Sequence, residues 1–311
     1  MWGRMKGLGL CAFWIAVLTL FAAGEVVPGT QMQPVDRYFL SGDGRINLKN
    51  AKTNRSASIR YRLPSGAYPQ EAQEQIDRLF GVGADEDEHI SLRLISALDY
   101  IEDQYRIPIV VISGFRSAKY NDNLRAKGGG AAKASLHIEG MAADLRVRKK
   151  LARKIWNDVK EMHCCGIGFY GGDSLHVDTG PARFWTQATS KVRTNISENN
   201  KLIMARTDQD IYLPGEKITL KLARITAYPV YVSPIFSIVS NGGASREFSF
   251  DRLDTACQPV REPAERTFAW TIPRDVSPEG KVQVQLRFCE KQFPEMPDQI
   301  ESNVIEVRAT R

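Results

Sequence analysis

Histidine is scarce in this chain. Only His89, His137, His163 and His176 occur in 311 residues, so chemistry built on imidazole has few candidates. No apolar run beyond the N-terminal one is long enough to span a bilayer, which excludes a polytopic membrane protein. Internal repeats and low-complexity tracts are also missing. So are a recognition helix and any nucleic-acid motif. The net charge of +6, with a pI near 9.0, is modest and suits an anionic polymer, whether nucleic acid, membrane surface or cell wall, without discriminating among them. The basic residues are spread along the chain apart from Arg146, Arg148, Lys149 and Lys150, which read as a solvated face. Gly128-Gly129-Gly130 is too short and wrongly flanked for a phosphate loop.

What is present suits two domains. Residues 1–24 have the plan of a secretory signal peptide: Arg4 and Lys6, an apolar run from Leu8 to Ala23, then small residues at Ala22-Ala23-Gly24. Left uncleaved, the run would act as a membrane anchor. Export implies a periplasmic or secreted protein and a disulfide-permissive compartment. Cys257 and Cys289 are expected to pair. A bond between neighbours is strained and uncommon, so one or both of Cys164 and Cys165 read as buried thiols.

From Tyr38 to Leu63, short alternating pieces predict two or three strands with a turn at Gly42-Asp43-Gly44. Helices are predicted over 69–80 and 91–105 from apolar positions at three- and four-residue spacing. A buried strand (107–113), a helix capped by Ser117, a strand (143–147) and a helix (148–162) follow. A hairpin over 166–179 then turns at Gly171-Gly172-Asp173-Ser174. Residues 25–190 therefore read as an α+β domain. The polar stretch 191–200 reads as a linker. Beyond it, repeated short strands with Pro and Gly turns predict an all-β, immunoglobulin-like sandwich over 201–311.

His137 and Asp144 stand seven residues apart around Gly140, and His176 comes thirty-two residues after Asp144. Two imidazoles and a carboxylate form a three-ligand set for a catalytic zinc, with one position open for water. Gly140, Ala142 and Ala143 are read as room for backbone to pass close to the metal. Hydrolysis also needs a general base. Asp173, three residues before His176, and Asp178, two after it, are the candidates, with Glu139 a weaker third. Asp178 reads foremost as a hydrogen-bond partner orienting a ligand. Arg116, in the loop after a buried strand, is the candidate to steady an oxyanion or hold a substrate carboxylate. The rings of Phe169, Tyr170, Phe184 and Trp185 read as core, one of them lining the cleft.

Four groups of residues in order carry a resemblance: Ser113 to Ser117; Ser135, His137, Gly140, Ala142 and Asp144; Gly166 to Tyr170; and Leu175 to Gly180. They resemble the zinc D-Ala-D-Ala carboxypeptidase and murein endopeptidase superfamily, in its periplasmic murein endopeptidase branch, over roughly Tyr38 to Trp185. The resemblance implies a small metallopeptidase fold and zinc on His137, Asp144 and His176. It further implies a role for Arg116 and a base at Asp173. Peptidoglycan would be the substrate, as DD-endopeptidase or as carboxypeptidase. A rival of another class is a non-catalytic wall-binding module with a structural zinc site.

Overall fold

Two alternating patterns dictate the sheet that carries the site. In the strand Ala142–Arg146, Ala143 and Leu145 point to one side and Ala142 and Asp144 to the other. In the strand Ser174–Asp178, Leu175 and Val177 enter the core, leaving His176 and Asp178 on the opposite face. A computed structural model describes residues 36–308 apart from 193, 241, 252–255 and 275–279. The expected signal peptide lies outside the described residues.

The α+β part contains β1 (Arg45–Asn50), β2 (Ser56–Arg60), α1 (Gln70–Phe80), α2 (Leu92–Tyr105), β3 (Ile109–Ser113), α3 (Ala118–Ala126), β4 (Ala142–Arg146), α4 (Lys149–Met162), β5 (Gly166–Phe169), β6 (Ser174–Asp178) and β7 (Arg183–Thr186). Its sheet runs β2-β1-β3-β4-β6-β5-β7. β4 and β6 are antiparallel, with Asp144 opposite His176 and Ala142 opposite Asp178. A one-residue slip would send Asp144, His176 and Asp178 into the core, so the apolar pattern holds the register.

The helices follow their apolar stripes. α1 buries Ala72, Ile76, Leu79 and Phe80 and stops at Gly81, whose φ of 87° is the left-handed conformation that glycine tolerates. The Ser117 hydroxyl accepts from the Tyr120 amide and starts α3. α4 buries Ala152, Ile155 and Val159 against the sheet. It ends at His163, and the turn into β5 brings Cys164 and Cys165 together as a disulfide. The expectation of a buried thiol there is therefore corrected. Cys257 and Cys289 are bonded as expected. Tyr38–Leu40 is bent chain and not a strand, whereas β7 was not anticipated: its four residues carry no clear alternation.

The C-terminal part is built of strands: β8 (Met204–Thr207), β9 (Ile211–Tyr212), β10 (Lys217–Ala223), β11 (Val230–Ser240), β12 (Ser245–Ser249), β13 (Gln258–Val260), β14 (Thr267–Thr271), β15 (Lys281–Phe288), β16 (Gln299–Glu301) and β17 (Ile305–Val307). One sheet is β14-β10-β8, the other β12-β11-β15-β17-β9, with β13 on β11 and β16 on β15. Ile218, Leu220 and Trp270 from the first meet Val232, Phe236, Val284 and Leu286 from the second in one core.

The two parts meet across a seam of part-buried ion pairs. Arg266 binds Glu139 and Glu88 at 2.6 Å each, and Lys221 also reaches Glu88 at 2.6 Å. Arg93 of α2 binds Asp210 at 2.8 Å. Arg37 grips Glu216 with two bonds of 2.7 Å, and its carbonyl accepts the amides of Asp210 and Ile211. A small apolar cluster, Leu136, Met141, Ala142, Met204 and Ala223, closes the seam beside the loop that holds His137.

Candidate metal centre

His137, Asp144 and His176 each offer a ligand atom, and these atoms lie within 4.8 Å of one another. The histidines are nearly buried, at 3% and 7% exposure. His137 Nδ1 lies 2.7 Å from the Gly114 carbonyl, which fixes the ring and leaves Nε2 facing Asp144 at 3.5 Å. His176 is held the other way round. Its Nε2 lies 2.8 Å from Asp178 Oδ2, while Nδ1 lies 2.9 Å from Asp144 Oδ1. Each ring therefore has one nitrogen tied behind it and one presented to the centre, the usual arrangement for ligating histidines.

The donor chemistry fits zinc. Two imidazole nitrogens and one carboxylate converge, and both rings are oriented by an outer partner. Burial keeps His137 below its ordinary pKa, against the pull of Asp144. Burial would also lower His176, but Asp144 and Asp178 outweigh it and push the ring up to about 9. Burial would raise Asp144, yet the two imidazoles hold it well below the carboxylate range.

Asp178 is fully buried, with both oxygens committed. Oδ1 accepts from the Gly180 amide at 2.8 Å and Arg183 Nη1 at 2.9 Å. Oδ2 takes Arg183 Nη2 at 2.7 Å besides His176. It stands behind His176, on the ring nitrogen turned away from Asp144. Glu139 is likewise committed: Arg224 donates its amide at 3.0 Å and Arg266 its guanidinium at 2.6 Å. Asp173 sits at the β5–β6 turn, half exposed, 3.6 Å from Arg146. Arg116 is buried in the centre, where Nη2 reaches Asp144 Oδ2 at 2.7 Å and Nε reaches Ser113 Oγ at 3.0 Å.

The glycines of β5 make room for this arrangement. A Cβ on Gly166 would strike the Asp178 carboxylate and Arg183, and one on Gly168 would lie 2.5 Å from the Trp185 ring. Trp185 lies 5.1 Å from the His176 ring and Tyr170 lies 6.4 Å away, so both aromatics wall the site. Gly140 has a different role from the one expected. Its φ is +63°, and a Cβ there would run into the His89 carbonyl rather than a metal. Ala142 belongs to the seam cluster and Ala143 to the main core. The sequence did not single out Arg183 or the Gly114 carbonyl. An isolated arginine on a short strand and a main-chain oxygen leave no pattern to find.

Among the described residues, Asp43, Asp99 and Asp103 form a second acidic group, in which Asp99 is engaged by Tyr61 and the Gly44 amide.

Asp144 and His176 stand on one face of the sheet and His137 joins them from the loop before β4, a donor set that suits a metallopeptidase. Residues 41–185 match the family Peptidase M15_2, described as Peptidoglycan L,D-endopeptidase MepK. The peptidoglycan L,D-endopeptidase MepK of Escherichia coli K12 is 30% identical over 173 residues, covering 53% of this chain and 94% of that protein. The protein of the same name from Shigella flexneri gives the same figures. The chain belongs to this family.

Proposed function

We propose that this chain is an exported, zinc-dependent peptidoglycan L,D-endopeptidase, hydrolysing an amide bond between an L- and a D-configured centre in the peptides of the wall. Family membership makes it a peptidoglycan endopeptidase. The L,D preference is taken from the relatives' description, and the DD reading of the sequence stays as its rival. The observation that carries the metal reading is the convergence of His137, Asp144 and His176 with both rings fixed from behind.

A zinc ion in this set supplies a Lewis acid that polarises the scissile carbonyl and acidifies water. His137 and His176 present Nε2 and Nδ1 respectively, and Asp178 with Arg183 keeps the His176 ring from turning. Arg116 brings a fixed positive charge to the centre, where it holds Asp144 and is placed to steady charge on the carbonyl oxygen. Asp173 is assigned as base. Of the three carboxylates weighed, it alone keeps solvent access and a side chain not locked behind a ligand. Trp185 and Tyr170 exclude water from the His176 side. We assign residues 1–24 as signal peptide, 25–190 as the peptidase domain, 191–200 as linker and 201–311 as an immunoglobulin-like sandwich. A periplasmic location follows from that export signal. No helix among the described residues is long and apolar enough to cross a membrane.

The test is digestion of purified peptidoglycan with and without zinc, beside His176→Ala, with products read by mass spectrometry. Zinc-dependent loss of L,D cross-linked species, absent in the variant, is expected. Loss of terminal Ala alone would make the enzyme a carboxypeptidase. An unchanged wall would remove the hydrolase reading.

A further inference from the structure

A cavity of about 710 Å³ lies at the seam between the α+β part and the C-terminal β part. Its wall includes Thr179 and Gly180, the residues that follow Asp178, but not His137, Asp144 or His176. Two buried polar atoms in that wall have no hydrogen-bond partner among the described residues: Arg206 Nε and Thr179 Oγ1. Arg206 is 8% exposed, and among the described residues its side-chain hydrogen bonding is a single 3.4 Å contact from Nη1 to the Ala205 carbonyl. It forms no ion pair among the described residues. Arg93, in the same wall, is closed by Asp210 and by the Gln209 carbonyl.

A guanidinium buried without a counter-charge is costly to the fold. Burial, reinforced by Arg93, lowers Arg206 to about 10, and Asp178 and Asp210 only partly oppose it. The other charged side chains of the wall do not neutralise it. Lys281, exposed, lies over the Phe39 ring, and Glu301 is also exposed. The remaining surface is largely apolar, with Leu40, Ala97, Val304 and the Cys164–Cys165 disulfide. A fork of donors, a hydroxyl and an apolar wall in one chamber match a molecule with an oxyanion at one end and a hydrophobic body.

We propose that this cavity is a binding site for a small organic anion, a carboxylate or a phosphate monoester, held by the Arg206 guanidinium and the Thr179 hydroxyl. The site is separate from the metal centre and does not depend on the hydrolase reading.

The test is isothermal titration of the protein with two probes, N-acetyl-D-alanine and inorganic phosphate. Four proteins are compared: wild type, Arg206→Met, Thr179→Val and the metal-ligand variant His137→Ala. Wild type and His137→Ala are expected to bind at least one probe with a Kd of about 1 mM or tighter. Arg206→Met should lose at least about tenfold in affinity, and Thr179→Val about threefold. Preference for phosphate would assign a phosphorylated ligand, and preference for the carboxylate a peptide or sugar acid. Arg206→Met keeps the chain's length and removes a buried lone charge, so its melting temperature should hold or rise. Thr179→Val gives an independent reading from the other polar group if Arg206→Met fails to fold. Equal affinity in wild type and both cavity variants would overturn the proposal. So would binding lost in His137→Ala but kept in Arg206→Met, or no heat with either probe.

Discussion

Arg183 donates both guanidinium nitrogens to the buried Asp178 carboxylate, at 2.9 and 2.7 Å, and that carboxylate holds the outer nitrogen of His176. The orientation of one ligand thus rests on a residue from another strand. Asp178→Asn keeps the shape but weakens the grip on the ring, and zinc affinity should fall by about ten- to a hundredfold. Competition with a chromogenic chelator reads this directly. An unchanged affinity would place His176's orientation elsewhere.

Removing Arg183 tests the same relationship from its other end. Arg183→Met leaves Asp178 buried with only His176 and the Gly180 amide, so the fold should lose about 3 kcal/mol. Urea unfolding checks it. A loss under about 0.5 kcal/mol would mean that water replaces the guanidinium without cost.

Gly166→Ala and Gly168→Ala should both impair the site for steric reasons alone. The first pushes on Asp178 and Arg183, the second on the Trp185 ring. Activity on peptidoglycan is expected to drop at least tenfold in each. Adding Trp185→Leu to Gly168→Ala should restore part of the folded stability, because the smaller side chain can retreat from the new methyl. Full activity in Gly166→Ala would refute the crowding described around Asp178.

The seam is open to a double-mutant cycle. Arg266 is 13% exposed in its side chain and Glu139 6%, so the pair is desolvated and each single truncation leaves the other group one close contact short. Arg266→Met and Glu139→Gln should each cost about 2–4 kcal/mol, and together less than their sum. Simple additivity would show that the two groups do not sense each other.

Asp99 predicts a pH effect on stability away from the metal. Burial pushes its carboxyl up to about 6, despite bonds from Tyr61 and the Gly44 amide, with Asp103 and Asp43 adding to the rise. The unfolded chain protonates near its ordinary value of 3.8. Between roughly pH 4 and 6 the folded state binds the extra proton, so stability declines as pH rises through that window, by up to about 2 kcal/mol. Asp99→Asn keeps an acceptor for Tyr61 and removes that slope. Melting curves from pH 4 to 7 decide it; an equal slope in the variant would assign it to another group.

The sequence makes the centre legible because few residues can form it. With four histidines, the two in motif context, His137 and His176, are the pair that meets Asp144. The α+β order is equally readable, since β4, β6 and α4 carry clean periodicities. Short elements such as β7 and β9, of four and two residues, escape because periodicity needs length. Gly140 was misassigned for a physical reason: a glycine announces close approach but does not say to what, and here the neighbour is the His89 carbonyl. The roles of Asp178 and Glu139 needed their partners, Arg183 and Arg266, which lie 5 and 127 residues away along the chain.

The seam also bears on how the molecule is made. Synthesis runs from the N-terminus, so the whole seven-stranded sheet leaves the ribosome before β8 exists. At that stage the Phe39 amide waits for a carboxylate 171 residues downstream, and Leu136 and Met141 are uncovered. Glu88 and Glu139 have no arginine to meet until β10 and its neighbours arrive. Until then the loop that carries His137 lacks the contacts that Arg224 and Met204 make with it.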